Sequence, residues 1–370
     1  MPSHLQIAFF GSSLVSAYWN GAATYYRGLI RALHGRGHRV TFYEPDAFER
    51  QAHRDIADPD WARVEVYSPS ADSLSSGLAA ALDSARQADV IVKASGVGIN
   101  DELLEREVLS LRAPGKLVVF WDVDAPATLE RIARNPLDPF RGLIPRYDLI
   151  LTYGGGKPVV DEYLSHGARA CVPIYNALDP LTHHPVPRNP QFEALLGFLG
   201  NRLPDREARV REFFFEPART LPKETFLLGG NGWDESARAP ANVRMIGHVY
   251  SREHNAFNCT PRAVININRD SMARTGFSPP TRIFEAAGAG ACLIVDAWEG
   301  IELFLEPGRE VLIARSGEEV AAHVRSLDAA TANNIGGAAL RRILAQHTYQ
   351  HRAQQVEATL CGAMPQEFAA

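Results

Sequence analysis

Cysteine is scarce and scattered. Cys171, Cys259, Cys292 and Cys361 are the four in 370 residues, and no two of them form a Cys-x-x-Cys pair. That argues against a disulfide framework or a thiolate metal knuckle, and for reduced, buried thiols in a cytoplasmic protein. A basic excess is missing too. Lys and Arg number 38 against 43 Asp and Glu, a formal net charge of −5, so there is no electrostatic footprint for nucleic acid or an anionic membrane. No apolar stretch approaches the roughly 18 residues of a spanning helix, and the start, MPSHLQIAFFG, shows no signal-peptide cleavage region. Gly-x-Ser-x-Gly and Walker motifs are absent, as is any His-x-Glu-x-His cluster, and the adjacent His183 and His184 show no metal geometry. Hydrolase, kinase and zinc-enzyme readings are weakened accordingly. No bound metal is expected.

What is present is an α/β rhythm, twice over. A length of 370 residues suits two domains at about 150 each. Gln6 to Phe10 reads as a strand, and Ala22 to His34 as a helix with apolar positions at helical period. Gly35 and Gly37 stop it, and the strand VTFYEPD follows. Gly11 does not begin a full Gly-x-Gly-x-x-Gly, so no dinucleotide site is expected there. Strands follow at Val64–Tyr67, Asp89–Ala94, Lys116–Trp121 and Leu149–Thr152, with a short last one at Val172–Ile174. From Tyr175 to Asn189 the period breaks, with prolines at 180, 185 and 187 and another at 190, as in an interdomain linker. The rhythm then restarts at Ala194–Leu199. One long helix is expected from Gly337 to Leu360. The expected organisation is a first Rossmann-like domain over 1–178, a linker over 179–192, a second Rossmann-like domain over 193–338 and a terminal helix and tail over 339–370.

The chain is organised around NINRDSMARTGFSPPTRIFEAAGAGACLIVDAWEGIELFL, residues 266–305. An apolar strand ends in Asn268 and Arg269, a loop rich in Gly, Ser and Pro follows, and a helix begins near Pro280. Arg282 and Glu285 are three apart and share a helix face. Ligands of open α/β sheets sit beyond the carboxyl ends of the strands, where helix N-termini offer N–H groups to phosphate. Arg282 is a candidate to pair with a phosphate group there. Glu285 is either a hydroxyl acceptor for a ligand or a buried partner of Arg282. Alternating Asn266 and Asn268 need partners that a ligand or a neighbouring loop would supply.

Three other strand ends carry candidate residues. Gly200, Asn201 and Arg202 close the first strand of the second half. The Gly allows close approach of a diphosphate, and Arg202 pairs with phosphate or with surface carboxylates. GGNGW, with Gly232 and Trp233, is a tight loop able to line a sugar or base, or a plain turn. Asp122 and Asp124 end the strand VVFW. They are candidates for a general base or for holding acceptor hydroxyls; otherwise Asp122 caps the next helix and Asp124 is solvated.

The 266–305 unit resembles the donor segment of GT-B glycosyltransferases, and its Asn-rich strand end, Arg-x-Phe-Glu helix and Gly-rich exit resemble the CgeB-like branch. Trp121–Pro126 is similar to a Trp-Asp-x-Asp-x-Pro segment of that branch. The resemblance implies a GT-B fold, two Rossmann-like domains facing a cleft, with the terminal helix crossing back to the first. It implies a metal-independent glycosyltransferase of hexosyltransferase type using a nucleotide-diphosphate sugar, UDP first and GDP or dTDP as alternatives, with a small-molecule, glycan or protein acceptor and no other cofactor. In the related family-4 enzymes two glutamates flank seven residues here. Glu285 matches the second, which holds the ribose, while Phe277 stands where the first would fall. Gly247, His248 and Val249 resemble the segment whose backbone reads the base. A sugar-nucleotide epimerase and a catalytically silent nucleotide-sugar binder are the competing readings.

Overall fold

The computed structural model describes residues 4–18, 20–70 and 74–363. Trp19 of the first loop and the tail 364–370 lie outside the described residues. The chain divides into two compact units, Met1–Asn176 with Tyr349–Ala370, and Ala177–Thr348.

The first unit runs β1 (Gln6–Phe10), α1 (Ala23–Gly35), β2 (Arg39–Pro45), β3 (Arg63–Tyr67), α2 (Ser76–Ala85), β4 (Val90–Ala94), α3 (Asp101–Glu107), β5 (Leu117–Asp122), α4 (Ala125–Arg134), β6 (Leu149–Thr152), α5 (Gly156–Ser165) and β7 (Cys171–Pro173). The sheet order is β3-β2-β1-β4-β5-β6-β7, with all pairings parallel. β4 and β5 are buried at every position, which is why they read as continuous apolar runs rather than alternating ones. The order reverses between β1 and β4.

The second unit runs β8 (Leu196–Leu199), α6 (Pro204–Val210), α7 (Glu216–Thr220), β9 (Phe226–Gly229), β10 (Val243–Gly247), α8 (His254–Cys259), β11 (Ala263–Asn266), α9 (Asp270–Thr275), α10 (Thr281–Gly288), β12 (Leu293–Asp296), β13 (Leu312–Ala314), α11 (Gly317–Ser326) and α12 (Ala329–Gln346). The six strands are parallel in the order β10-β9-β8-β11-β12-β13, reversing between β8 and β11. Between α6 and α7 the helix widens into a π turn at Arg211–Phe215. This turn places three consecutive phenylalanines, Phe213, Phe214 and Phe215, in the core.

Two local readings of the sequence differ from the structure. The stretch after Arg269, expected as loop, contains α9. The single helix expected over 337–360 is two, α12 and α13 (Tyr349–Ala363), broken at His347 and Thr348. The break follows from tertiary pairing: the backbone N–H of Leu178 takes the carbonyl of His347 at 2.8 Å, and Leu178 bridges Thr348 as a strand would. α13 belongs with the first unit, where Tyr349 packs on Gly28 of α1; a Cβ at Gly28 would sit 2.2 Å from that ring.

Candidate donor site

The carboxyl ends of β8, β9 and β10 are tied into one floor. Gly200 N donates to Gly229 O at 2.9 Å, Gly230 N to Gly247 O at 2.7 Å and Arg202 N to Asn231 O at 2.9 Å. Asn231 N donates to Asn201 Oδ1 at 2.9 Å, and the Trp233 indole N–H to Gly200 O at 2.6 Å. Gly230 has φ +128°, and a Cβ there would meet Gly200 O at 2.2 Å, so only glycine permits this approach. Trp233 and Gly232 are therefore parts of the floor's framework. His248 is exposed and edge-on to Tyr250, while Val249 is buried and its carbonyl lies 3.2 Å from His254 Nε2.

The wall rises at the β8/β11 switch point, where loops leave in opposite directions and a crevice opens. Four buried donor groups there have no hydrogen-bond partner: Arg206 Nε, Asn268 Nδ2, Ser278 Oγ and Arg282 Nη1. Asn268 is almost wholly buried, and its Oδ1 is taken by Asn266 Nδ2 at 3.0 Å, leaving its amide N–H2 unused. Arg206 Nη1 lies 3.0 Å from where a Cβ on Gly200 would be, against the end of β8. Burial, and then the neighbouring charge of Arg282, brings the Arg206 pKa down to about 10. Burial also lowers that of Arg282, with Glu285 acting against it. Two cations, one of them depressed by the other, beside unpaired donors form an anion-shaped deficit. α10 adds its start: Pro280 precedes it, no side chain caps it and no acidic residue sits in its first turn; the Ile283 N–H donates to Pro280 O at 3.1 Å, and the helix end still favours a phosphate.

Glu285 faces the same region from one turn into α10. Burial pushes its carboxyl up, but His183, Arg282, His254 and the Thr281 hydroxyl outweigh this and hold it below its ordinary value. It is an anionic acceptor at neutral pH. Phe277, at the place of the missing first glutamate, has φ +47°, rare for a bulky residue. Its N–H donates to Glu299 O at 2.6 Å, and its ring lies 2.4 Å from where a Cβ on Gly300 would be.

Arg202 stands apart from this anion site. Its fork is closed on Glu207 at 2.9 and 3.0 Å and its third nitrogen meets Ser236 at 2.7 Å. The guanidinium with an unpartnered nitrogen at the switch point belongs instead to Arg206, four residues on, which the sequence analysis did not single out. Asp296 was also missed. It is fully buried at the end of β12, binds Arg209 at 2.6 Å and accepts the N–H of Asn268. Burial raises its pKa against the pull of Arg209. It holds the β11 end in place.

In the first unit Asp122 and Asp124 separate. Asp122 is fully buried, and its carboxylate accepts from Ser95 Oγ at 2.7 Å, Asp124 N and Thr128 Oγ1 at 3.0 Å, and Tyr163 OH at 2.5 Å. A carboxylate saturated by four donors organises the strand end and is not a free base, which corrects the expectation of a chemical role for it. Asp124 is exposed at the start of α4 and does not cap it with its side chain.

The expected absence of histidine metal geometry needs a second correction. His183, His254 and Glu285, remote in sequence, place one ligand atom each within 4.8 Å of one another. No short-range spacing announces this group.

Residues 206–358 match a protein-family model described as glycosyl transferase-like, somewhat under half of the chain. No curated protein matches the chain. Among solved structures it is similar to Anabaena HepE in complex with UDP-glucose, at 16% identity over 97% of this chain and 100% of that one, TM-score 0.66. It is also similar to sucrose-phosphate synthase from Thermosynechococcus elongatus, at 13% identity over 97% and 98%, TM-score 0.70. A glycosyltransferase from Rickettsia africae aligns at 10% identity over 97% and 98%, TM-score 0.67. At these identities the likeness establishes the fold: two parallel-sheet Rossmann-like units of the GT-B glycosyltransferase type. No helix among the described residues is long and apolar enough to cross a membrane.

Proposed function

We propose that this chain is a metal-independent glycosyltransferase of the CgeB-like kind, acting in the cytoplasm on a UDP-sugar held by its second unit. The observation that carries the reading is the set of buried, unpartnered donors at the β8/β11 switch point, Arg206, Asn268, Ser278 and Arg282. A diphosphate supplies the acceptors these groups lack, and it relieves the repulsion between the two arginines. In the transition state the leaving nucleoside diphosphate gains negative charge, and preorganised cations there stabilise it without reorganising. Glu285 accepts the two ribose hydroxyls. The backbone of Gly247, His248 and Val249 reads the base edge, and the Gly200 to Trp233 floor lines the donor. UDP is preferred as the nucleotide because HepE was solved with UDP-glucose. The first unit takes the acceptor at its strand-end loops, with Asp124 as the accessible carboxylate.

A thermal-shift panel of nucleoside diphosphates and nucleotide sugars, with and without magnesium, tests this. UDP should stabilise the protein without magnesium; binding only the folded state at 100 times Kd adds about 2.7 kcal/mol. Arg282→Ala should weaken UDP about 10- to 100-fold, the worth of a hydrogen bond to a charged group. Glu285→Ala should weaken UDP but leave pyrophosphate binding intact. No stabilisation by any nucleotide would sink the reading. Nucleotide binding without transfer to any acceptor would leave the silent-binder alternative, and conversion of the sugar nucleotide without an acceptor would indicate the epimerase.

A further inference from the structure

His183, His254 and Glu285 are brought together by the framework of the second unit. The segment bearing His183 is fastened to α8, whose first residue is His254. Asn255 Nδ2 donates to Thr182 O at 3.0 Å, and Val186 N lies 3.5 Å from Cys259 Sγ. α8 is in turn fastened to the end of α10, the helix of Glu285, by the Cys259 thiol on Ala289 O at 3.2 Å. All three side chains are half-buried. Each imidazole is already oriented through one nitrogen, His254 Nε2 on Val249 O at 3.2 Å and His183 Nδ1 on Thr182 Oγ1 at 3.0 Å. Metal-ligating histidines are held this way, with the second ring nitrogen turned to the ion.

Two imidazoles and a carboxylate are the three-ligand set of open zinc sites. Bonds of about 2.0–2.2 Å in a tetrahedron put donor atoms roughly 3.3 Å apart. Donors no more than 4.8 Å apart need to close by about 1.5 Å at most, a movement within side-chain rotation. Hard magnesium prefers oxygen ligands in an octahedron, whereas imidazole suits zinc, cobalt and nickel. We propose that His183, His254 and Glu285 form a binding site for a transition-series divalent cation of zinc type, and that this cation competes with the donor nucleotide for Glu285. The second half rests on the ribose role given to Glu285 above; the first half does not. The ion is an inhibitor of donor binding and takes no part in transfer.

Calorimetry on the chelator-treated full-length protein should show one equivalent of zinc bound. Cobalt should give the visible bands of a tetrahedral nitrogen–oxygen site without thiolate charge transfer, which separates this site from the four cysteines. His183→Gln and His254→Gln should each weaken zinc by about 100-fold or more, on the scale set by outer-shell losses of 10- to 100-fold. No saturable binding, a thiolate spectrum, or unchanged affinity in both variants overturns the site. Zinc should raise the apparent Kd for UDP in the parent protein and leave it unchanged in His183→Gln. Zinc binding with UDP affinity unaltered in the parent overturns the shared use of Glu285. Zinc binding in a protein that takes no UDP marks failure of the donor assignment instead.

Discussion

Both sheets reverse their strand order at the equivalent place, between β1 and β4 in the first unit and between β8 and β11 in the second, yet the two crevices are finished differently. In the first, the chain fills the gap itself. Arg50 is buried and its Nη1 reaches both loops, bonding Ser12 O at 3.1 Å and Val97 O at 3.2 Å, while its Nε has no partner. Glu44 is fully buried and accepts from Ser13 Oγ at 3.0 Å, Leu14 N at 2.6 Å and Gln51 Nε2 at 2.6 Å. In the second, Arg206 Nε and Arg282 Nη1 are buried without a partner. Both switch points keep an arginine nitrogen without a partner, but Arg50 spends its Nη1 on two carbonyls of its own chain, and under the proposed function the second switch point is the one left for an anion. The same fold carries both, so the fold alone does not say which half binds the donor.

The comparison can be broken most decisively in the first unit. Asp122→Ala leaves the Ser95 and Tyr163 hydroxyls buried without an acceptor and Thr128 with only Asp124 O at 3.4 Å, and should cost about 2–5 kcal/mol in urea unfolding, at about 1–3 kcal/mol for each stranded group less relaxation. A stable Asp122→Ala protein that had lost only transfer would return Asp122 to the chemistry.

Glu105 supplies the next largest effect. Burial, opposed by Lys93 and Arg131, pushes its pKa up to about 7, and its Oε2 lacks a partner. Because the folded value is raised, its contribution to stability is full below the unfolded value of about 4.3. It is lost as pH climbs through 7, by about 4 kcal/mol at about 1.4 kcal/mol per unit. Glu105→Gln should flatten that decline between pH 5 and 8 and stabilise the protein at pH 8. An unchanged slope would place the titration elsewhere.

The smallest effect on stability is expected in the second unit. Arg206→Ala should weaken UDP by about 1.5–3 kcal/mol while leaving the melting temperature without ligand equal or higher, since it removes a charge that Arg282 repels. Arg50→Ala should do the reverse, lowering stability and sparing UDP. If both variants lost only stability, the open crevice would be structural as well.

The α/β rhythm was legible because parallel strands buried on both faces are short apolar runs, and β4, β5 and β8 stand out as such. The Arg282 and Glu285 helix face was legible because a spacing of three fixes it. What was not legible depends on which way a side chain leaves a loop or turn. Arg202 and Arg206 are equivalent in the sequence, but Glu207 captures the first and leaves the second free. Asp122 looked like a base at a strand end because its donors Ser95 and Tyr163 come from β4's loop and α5. His183 lay in a proline-rich stretch with no period, and only the anchors at Asn255 and Cys259 bring it to Glu285.

The unpaired donors between β8 and β11 also bear on the lifetime of the chain in a cell. Arg206 feels the like charge of Arg282, so under the proposed function the donor-free protein is the less durable form, and the fraction open to proteases falls as ligand binds. Under the proposed function, the amount of protein present is thereby tied to the size of the sugar-nucleotide pool, and starvation for that metabolite should clear the chain before any change in its synthesis.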